Sequence, residues 1–471
     1  MDASPWMILP FGVLLASIAL APLFFADWWA RHYAKVVFSL TAVTLTCYLA
    51  GLHANETVLH TAVEYVGFIA LIGSLYVVAG GIHISVKGEA TPLANVVFLL
   101  MGAVVANLLG TTGASMLLIR PWLRMNKSRV TGHHVVFFIL IVSNVGGCLT
   151  PIGDPPLFLG YLKGIPFWWV AEHCWPMWLT AVGLLLAMFL AVDVWNYRKA
   201  PKRTREKLAE PMDRWRFDGL ENIFFLFVIL GAFLIEHPRF LREVIMVAAA
   251  AGSYLTTRKS VHDSNHFSFH PIQEVAVLFI GIFATMMPAL DYLGVKAGEI
   301  ATTRPQLFSP AFFFWGSGSL SSVLDNAPTY LSFLKAIIGV FVDEPTIKQV
   351  QHLVQNGGSD LASASESVRQ TYLALQKYHA ADLAAGRVGL EEIEVACLLG
   401  HGVLNKFIVA ISAGSVFFGG NTYIGNGPNF MVKAIADQQK VRTPSFLGYV
   451  FKFTVPFMIP MLVIVWWIFF R

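Results

Sequence analysis

Two aspartates stand inside apolar stretches of this chain, each among glycines, prolines and small polar residues. Asp154 precedes Pro155, and Asp325 precedes Asn326. A carboxylate held away from water can bind a cation or take up a proton, and ionisable side chains at membrane depth are costly and usually functional. The two residues therefore predict cation and proton chemistry. Capping of the helix that begins at Pro155 is the alternative role for Asp154.

Neutral oxygen donors accompany both aspartates, and hard cations prefer oxygen ligands. The predicted ion- or substrate-binding residues are Thr111, Thr112, Asn144, Thr150, Gly153, Asp154, Asp325, Asn326, Thr329, Asn421, Thr422, Asn426 and Asn429. Among them, the predicted ligands of Na⁺ are Asp154, Thr150, Asp325, Asn326 and Thr422. Two carboxylates in one site would attract a cation and repel an anionic substrate.

Two Gly/Pro-broken segments, far apart in the chain, align without a gap. Residues 143–156 read SNVGGCLTPIGDPP, and residues 415–428 read SVFFGGNTYIGNGP. In lipid, irregular backbone is tolerated only where it is buried in protein or lines a cavity. Paired interruptions of this kind indicate the binding site of a secondary transporter, where half-helix ends offer free N–H and C=O groups.

Composition places these segments in a membrane protein. The 471 residues are 56% hydrophobic and 13% charged, with a mean hydropathy of +0.62. A soluble protein carries roughly twice that charged fraction. Apolar runs near the ~20 residues that cross a bilayer recur along the chain. The expected fold class is an all-α polytopic membrane protein, and the modest net charge of +4 implies no nucleic acid partner.

Hydropathy and charge divide the chain into two repeats. Residues 1–200 hold three scaffold spans, an inner hairpin, a broken span and a closing span, and residues 201–216 form a basic loop that the positive-inside rule places in the cytoplasm. Residues 217–471 repeat this order from the opposite side. We expect an inverted repeat of 5+5 transmembrane helices. Its two re-entrant hairpins lie at 92–123 (inner) and 308–342 (outer), and its two broken helices lie at 134–163 and 391–433. A polar insertion occupies 343–390, and the last span is 446–470.

The inner hairpin follows from length and charge. The apolar stretch 92–123 is too long for one straight crossing of the bilayer. Lys87 before it and Lys127 after it would lie on opposite sides if it crossed. Because basic loops prefer the cytoplasm, we expect the stretch to enter and turn back, with its tip at residues 110–113.

Other ionisable groups were assigned by their place along the spans. Lys406 and His401 lie on the apolar arm before the second break. Lys406 there would pair with Asp154 or Asp325 and so couple protons to Na⁺, or it would snorkel to an interface. For His401 the two alternative roles are packing and proton relay.

Four further groups stand near predicted span ends, and for them we expect exposure or an interfacial position. They are Glu64, His133, His134 and Asp193. The sequence contains neither a His-Glu-x-x-His nor a Gly-x-Ser-x-Gly pattern, so the expectation is a protein that is not an enzyme.

At these motifs the chain resembles the ion transporter superfamily, which includes sodium/proton antiporters, arsenite permeases, citrate transporters and sodium-coupled dicarboxylate symporters. Residues 143–156 look like its first unwound-span motif, in the Gly-Asp-Pro-Pro form of the antiporter and arsenite branches. Residues 325–328 resemble the Asp-Asn-x-Pro tip of the same branches, whereas residues 110–115 depart from the Ser-Asn-Thr triplet of the dicarboxylate branch. The resemblance covers both halves except 343–390. It implies an elevator-type homodimer.

Two functions follow as expectations. The first is a sodium/proton antiporter that exchanges Na⁺ for H⁺, with Asp154 and Asp325 binding the two ions in competition. It needs no cofactor, and its partners are monovalent cations, protons and the lipid bilayer. The expected location is the bacterial inner (cell) membrane, as an integral multi-pass protein. The alternative is a cation-coupled symporter of citrate or another small carboxylate, which the two carboxylates disfavour unless a metal–citrate complex is carried.

Overall fold

The computed structural model describes residues 5–85, 90–199, 216–233, 235, 238 and 240–471. Within these ranges the chain is almost entirely helical. Two short strands, β1 (His83–Ser85) and β2 (Arg216–Asp218), pair in antiparallel fashion. Lys87 and residues 201–215 of the predicted basic loop lie outside the described residues.

The helices of the first half follow the apolar runs of the sequence. Thr91 caps the fourth of them, because its hydroxyl accepts a hydrogen bond from Ala94 N at 3.3 Å and Pro92 fills the first helical position. The helices are α1 (Leu9–Phe24), α2 (Ala26–Thr46), α3 (Asn55–Gly80), α4 (Pro92–Met125), α5 (Gly132–Ile141), α6 (Pro155–Leu162) and α7 (Trp169–Lys199).

The second half contains shorter helices and the polar insertion. In the described residues its helices are α8 (Asn222–Ala232), α9 (Leu241–Thr256), α10 (Lys259–Asn265), α11 (His270–Thr303), α12 (Pro310–Ser321), α13 (Asn326–Phe341), α14 (Glu344–Gln355), α15 (Glu366–Tyr378), α16 (Ala380–Ala384), α17 (Leu390–Leu399), α18 (Asn405–Phe418), α19 (Gly427–Gln438), α20 (Phe446–Tyr449) and α21 (Ile459–Phe469). A π-helical stretch, Val450–Met458, joins the last two.

Six helical segments of the described chain are long and apolar enough to cross a bilayer. They are Asp27–Gly51, Asn55–Gly80, Pro92–Met125, Trp169–Lys199, His270–Thr303 and Phe446–Phe469. Their number and length agree with an all-α membrane protein.

Helix α4 does not run straight along its 34 residues. Gly110 has φ 74° and ψ 157°, a left-handed conformation that glycine adopts without the Cβ penalty. Beyond this break the chain returns, because the side chains of Asn95 and Asn126 exchange hydrogen bonds of 2.8 and 3.0 Å. In a straight helix these residues would be about 46 Å apart. The two arms of α4 therefore lie side by side.

Helices α3 and α6 have different main packing partners. Helix α3 packs along α9 and α11, whereas α6 packs against α13 and α18. The insertion has a small core of its own, formed between α14, α15 and α17 by residues that include Val350, Leu353, Tyr372, Leu375 and Ile393. The unwound stretches after α5 and α18 lie between the two hairpins, and they carry the residues described next.

Candidate functional site

Asp154 is buried and receives hydrogen bonds from three neutral side chains. Its exposed fraction is 1%. Thr111 Oγ1 donates to Oδ1 at 2.7 Å, Asn426 Nδ2 donates to the same oxygen at 3.1 Å, and Asn326 Nδ2 donates to Oδ2 at 2.5 Å. The three donors come from the α4 break, the start of α13 and the second unwound segment. Four separate chain segments thus meet at one carboxylate.

The two predicted aspartates play different parts. The side chain of Asp154 makes no cap bond to α6, whose first two positions are Pro155 and Pro156. Because proline has no N–H, neither residue can donate to a cap. Asp325 does cap its helix, since its Oδ1 accepts from Ala327 N at 3.1 Å. The capping alternative therefore applies to Asp325 in place of Asp154.

Both unwound segments fold back at a contact between glycines. A Cβ on Gly153 would overlap the carbonyl oxygen of Gly147, and one on Gly425 would lie 2.6 Å from Gly419 O. Only glycine fits these positions. The alignment of 143–156 with 415–428 thus reflects a shared backbone shape.

The aligned threonines Thr150 and Thr422 fasten each segment to its hairpin. Thr150 Oγ1 donates to Asn107 O, and Thr422 Oγ1 donates to Ser322 O, both at 2.6 Å. Each hydroxyl also accepts a backbone N–H of its own segment at 3.1 Å, from Gly153 and from Gly425. These contacts give the two predicted ligands of Na⁺ a positioning role in this conformation.

The hairpins present matching residues to Asp154. Thr111 follows the first hairpin's anchor, Asn107, at the same separation in sequence as Asn326 follows Ser322. Thr111 and Asn326 each donate to a different oxygen of Asp154. Corresponding points of the two hairpins therefore hold opposite sides of one carboxylate.

Three asparagines join the two unwound segments. Asn144 Nδ2 donates to Asn429 Oδ1 at 2.7 Å, and Asn426 Nδ2 lies 3.3 Å from Asn144 Oδ1. Asn429 in turn donates to Gly419 O and Thr422 O. All three are buried, with exposed fractions of 2% or less. This network links Asp154 to the backbone of both segments.

Two buried amide oxygens near these segments accept no hydrogen bond. They are Asn326 Oδ1 and Asn421 Oδ1. Asn421 donates through its Nδ2 to Ser322 Oγ at 2.8 Å, so its amide nitrogen is engaged. A buried polar atom without a partner is costly, and such atoms commonly mark where a ligand binds. The oxygen of Asn326 is the more suggestive because its nitrogen contacts Asp154.

Small cavities adjoin residues next to Asp154. One of about 40 Å³ is lined by residues that include Thr112, Asp325 and Asn426, and one of about 30 Å³ by residues that include Thr111, Thr112 and Gly153. Side chains of α3 close both, among them Ile72 and Tyr76. Spaces of this size accommodate a small ion or one or two water molecules.

The site holds two carboxylates beside the N-termini of helices. Among the described residues, no Lys, Arg or His forms an ion pair with Asp154 or Asp325. Helices α6, α13 and α19 begin directly after Asp154, Asp325 and Asn426. Their N-termini carry partial positive charge, which stabilises a carboxylate.

Three predicted residues lie away from this centre. Thr329 Oγ1 bonds to its own helix at Asp325 O. Lys406 is exposed and His401 is half-buried, at the far end of α18 from the second break. At 1.5 Å per residue, Lys406 is about 20 Å along the helix from residue 419. The predicted pairing of Lys406 with an aspartate is therefore not formed here.

A buried charge cluster was missed by the expectation that span ends are exposed. Asp193 is fully buried, forms an ion pair with Arg129 and accepts from Asn95 Nδ2 at 2.9 Å. His133 Nε2 and His134 Nε2 lie 3.3 and 3.2 Å from the same carboxylate. The cluster fixes the base of the α4 hairpin to α5 and α7. Arg129 close before the two histidines was the sequence signal for it.

Comparison with known proteins adds the family to this geometry. Residues 1–470 match the protein family described as "Putative citrate transport". Two proteins named as uncharacterized transporters, from Mycobacterium tuberculosis strains CDC 1551 / Oshkosh and ATCC 25618 / H37Rv, are each 23% identical over 329 residues, which cover 64% of this chain and 76% of the relative. Together with the apolar helices, these matches indicate an integral, multi-pass transport protein. The chain belongs to this citrate- and ion-transporter type of family.

Proposed function

We propose that this protein is a sodium/proton antiporter in which Asp154 binds Na⁺ and H⁺ in turn. The observation that carries the proposal is the single carboxylate held by Thr111, Asn326 and Asn426 with no cationic partner in the described chain. Such a group can lose its charge only by binding a proton or a cation. A proton and Na⁺ would therefore exclude each other at Asp154.

Coordination of Na⁺ follows from the same contacts. The cation would take an oxygen of Asp154 and the unpartnered Oδ1 of Asn326, with Thr111 Oγ1 and the adjacent cavity water completing the shell. Asp325, which lines the cavity of about 40 Å³, is a second carboxylate for the ion on its path. Thr150, Thr422 and Gly153 would act by holding the unwound segments in place.

The architecture expected from sequence belongs to this proposal. Matched glycine contacts, matched threonine anchors and matched hairpin donors support an inverted repeat. On that basis α3 and its neighbours α9 and α11 form the scaffold, and the hairpins with the unwound segments form the moving part of an elevator-type homodimer. The bacterial inner membrane is the proposed location.

Cation-coupled citrate symport is the second candidate, favoured by the description of the matched family. The three helix N-termini at the site also suit an anion. Against it, citrate needs a pocket of several hundred cubic ångströms, whereas the cavities beside Asp154 measure about 30 and 40 Å³. Both carboxylates would also repel it.

One assay separates the two. Purified protein in liposomes that enclose a pH-sensitive dye receives Na⁺, Li⁺, K⁺ and citrate in separate additions. Antiport predicts that Na⁺ added outside without citrate enters the liposomes down its own gradient and drives protons out. Asp154→Asn should abolish the resulting dye signal. Asp437→Asn, at an exposed acidic residue on α19, is the matched control and should behave as wild type. Na⁺ movement that requires citrate would overturn the antiporter proposal.

A further inference from the structure

An ion-pair cluster stands at the far end of the helix that Asp154 begins. Lys163 Nζ lies 2.6 Å from Glu64 Oε1 and 2.7 Å from Glu391 Oε1. The three residues come from α3, from the turn after α6, and from α17. Both ring nitrogens of His60 are near, each 3.8 Å from one of the two carboxylates. One ammonium therefore joins three separate parts of the fold.

The polar insertion and the following helix hold the same turn of chain. His379 Nε2 donates to Gly164 O at 3.0 Å. Gly164 has φ 97°, and a Cβ there would lie 3.0 Å from Glu392 Cα, so the turn packs directly on the start of α17. Since α6 is only eight residues long, a fixed turn at residues 163–164 also fixes the position of Asp154.

The cluster borders a cavity, and its two pairs differ in exposure. Glu64, Lys163 and Glu391 line a cavity of about 750 Å³, although the Glu64 Oε1 atom that meets Lys163 is itself buried. The Lys163 side chain is 18% exposed, and those of Glu64 and Glu391 are 9% and 32% exposed. The Lys163–Glu391 pair is therefore the more exposed of the two, whereas the Lys163–Glu64 pair is largely shielded from water and less screened by it.

We propose that Lys163 is a positioning residue for transport, and that its bond to Glu64 latches α6 to α3 in the conformation seen here. Helix α3 packs along α4, α9 and α11, whereas α6 packs against α13 and α18. The Lys163–Glu64 pair therefore crosses from the proposed scaffold group around α3 to the proposed moving group around α6, two groups that also meet where α11 packs against α13. Any relative movement of these groups breaks that pair. The Lys163–Glu391 bond stays within the insertion side and keeps the turn ordered.

The latch rests on the proposed function only in requiring that the two groups move during transport. Its test uses the accessibility of Met287, which lines the cavity from α11 and is buried. Met287→Cys is placed in a Cys47→Ser background, because Cys47 is exposed and the other three cysteines are buried. The rate of maleimide labelling is then measured in liposomes without any ion gradient.

Loss of the latch should speed labelling. Lys163→Gln is expected to raise the rate about fivefold, the change that a partly buried ion pair produces in a two-state equilibrium. Glu64→Gln should have a similar effect while leaving the Lys163–Glu391 pair intact. Lys163→Arg keeps a cation between the two carboxylates, and it should retain the slow rate.

The outcomes are separable. An unchanged labelling rate in both Lys163→Gln and Glu64→Gln, with the protein monodisperse, overturns the latch. So does a Lys163→Arg variant that remains folded and is labelled as fast as Lys163→Gln. Glu64→Gln serves if Lys163→Gln does not fold. Because no transported ion enters this assay, a failure of sodium/proton exchange in the liposome assay would overturn the proposed function and leave the latch standing.

Discussion

Asn426 donates a hydrogen bond to Asp154 Oδ1 at 3.1 Å, and the two residues hold corresponding positions in the aligned segments 415–428 and 143–156. Their backbones are alike, with φ and ψ of −155° and 140° at Asn426 and −146° and 143° at Asp154. One member of the pair is charged and the other is its neutral isostere. Two carboxylates in this contact would repel each other, so the pair is built for a single negative charge.

The near-symmetry of this pair can be tested by exchanging its members. Asp154→Asn removes the only carboxylate of the pair, and we expect the rate of Na⁺/H⁺ exchange to fall about 100-fold, which corresponds to a loss of roughly 3 kcal/mol. Adding Asn426→Asp to that variant returns one carboxylate to the same contact. Dye-monitored exchange in liposomes should then recover in part. A double variant no better than the single one would mean that the site depends on one repeat alone.

Competition between the two ions gives a second prediction, on pH. If Na⁺ binds only the ionised carboxylate of Asp154, lowering the pH adds protons and empties the site of Na⁺. The apparent Na⁺ affinity should therefore fall, by up to about tenfold per pH unit once the carboxylate is mostly protonated. Initial rates across a series of Na⁺ concentrations and pH values measure this. Thr422→Ala should weaken binding at every pH without changing the slope, because it alters a positioning contact only.

Asp325 separates a capping role from a binding role. Asn is as good a cap as Asp, whereas Ala costs about 1 kcal/mol. If capping Ala327 N is the main role of Asp325, then Asp325→Asn should exchange ions as wild type does, and Asp325→Ala should lower the apparent unfolding temperature in detergent. If Asp325 also carries Na⁺ through the adjoining cavity, Asp325→Asn should raise the Na⁺ concentration needed for half-maximal rate.

The sequence predicted the burial of Asp154 better than it predicted which residues form hydrogen bonds with it. The apolar context of Asp154 and the matched breaks predicted that Asp154 and the two unwound segments are buried, since both features follow from the cost of polar groups in lipid. Thr111, Asn326 and Asn426 were among the predicted binding residues, but their hydrogen bonds to Asp154 did not follow from the sequence, because the three lie far apart in the chain and meet only through the turns of the hairpins. Pro156 removes one of the two backbone N–H groups that a cap by Asp154 could use, and Leu157 retains the other.

At the predicted ends of the spans, by contrast, the sequence did not predict burial correctly. Proximity to a predicted boundary suggested that Asp193 was exposed, yet it is buried against Arg129. We expect Asp193→Asn to destabilise the protein by about 3–5 kcal/mol, because Arg129 would be left as an uncompensated buried charge. The apparent unfolding temperature in detergent, at a fixed scan rate, measures the effect. Glu299→Gln, which breaks the exposed Lys296–Glu299 pair, is the control and should leave the apparent unfolding temperature unchanged.

The course of α4 through the membrane gives the last prediction. Because Asn95 and Asn126 are hydrogen-bonded to each other, the two ends of α4 must open on the same side of the bilayer. Single cysteines at Thr91 and Lys127, in a Cys47→Ser background, should both react with a membrane-impermeant maleimide from the cytoplasmic face. A cysteine at the exposed Glu56, near the start of the 26-residue helix α3, should react from the opposite face. A hairpin at 92–125 and a helix that crosses the bilayer differ by one passage through it. If Thr91 and Lys127 were labelled from different faces, α4 would cross the bilayer, the orientation of every later span would be opposite to the one proposed, and the inverted repeat would be excluded.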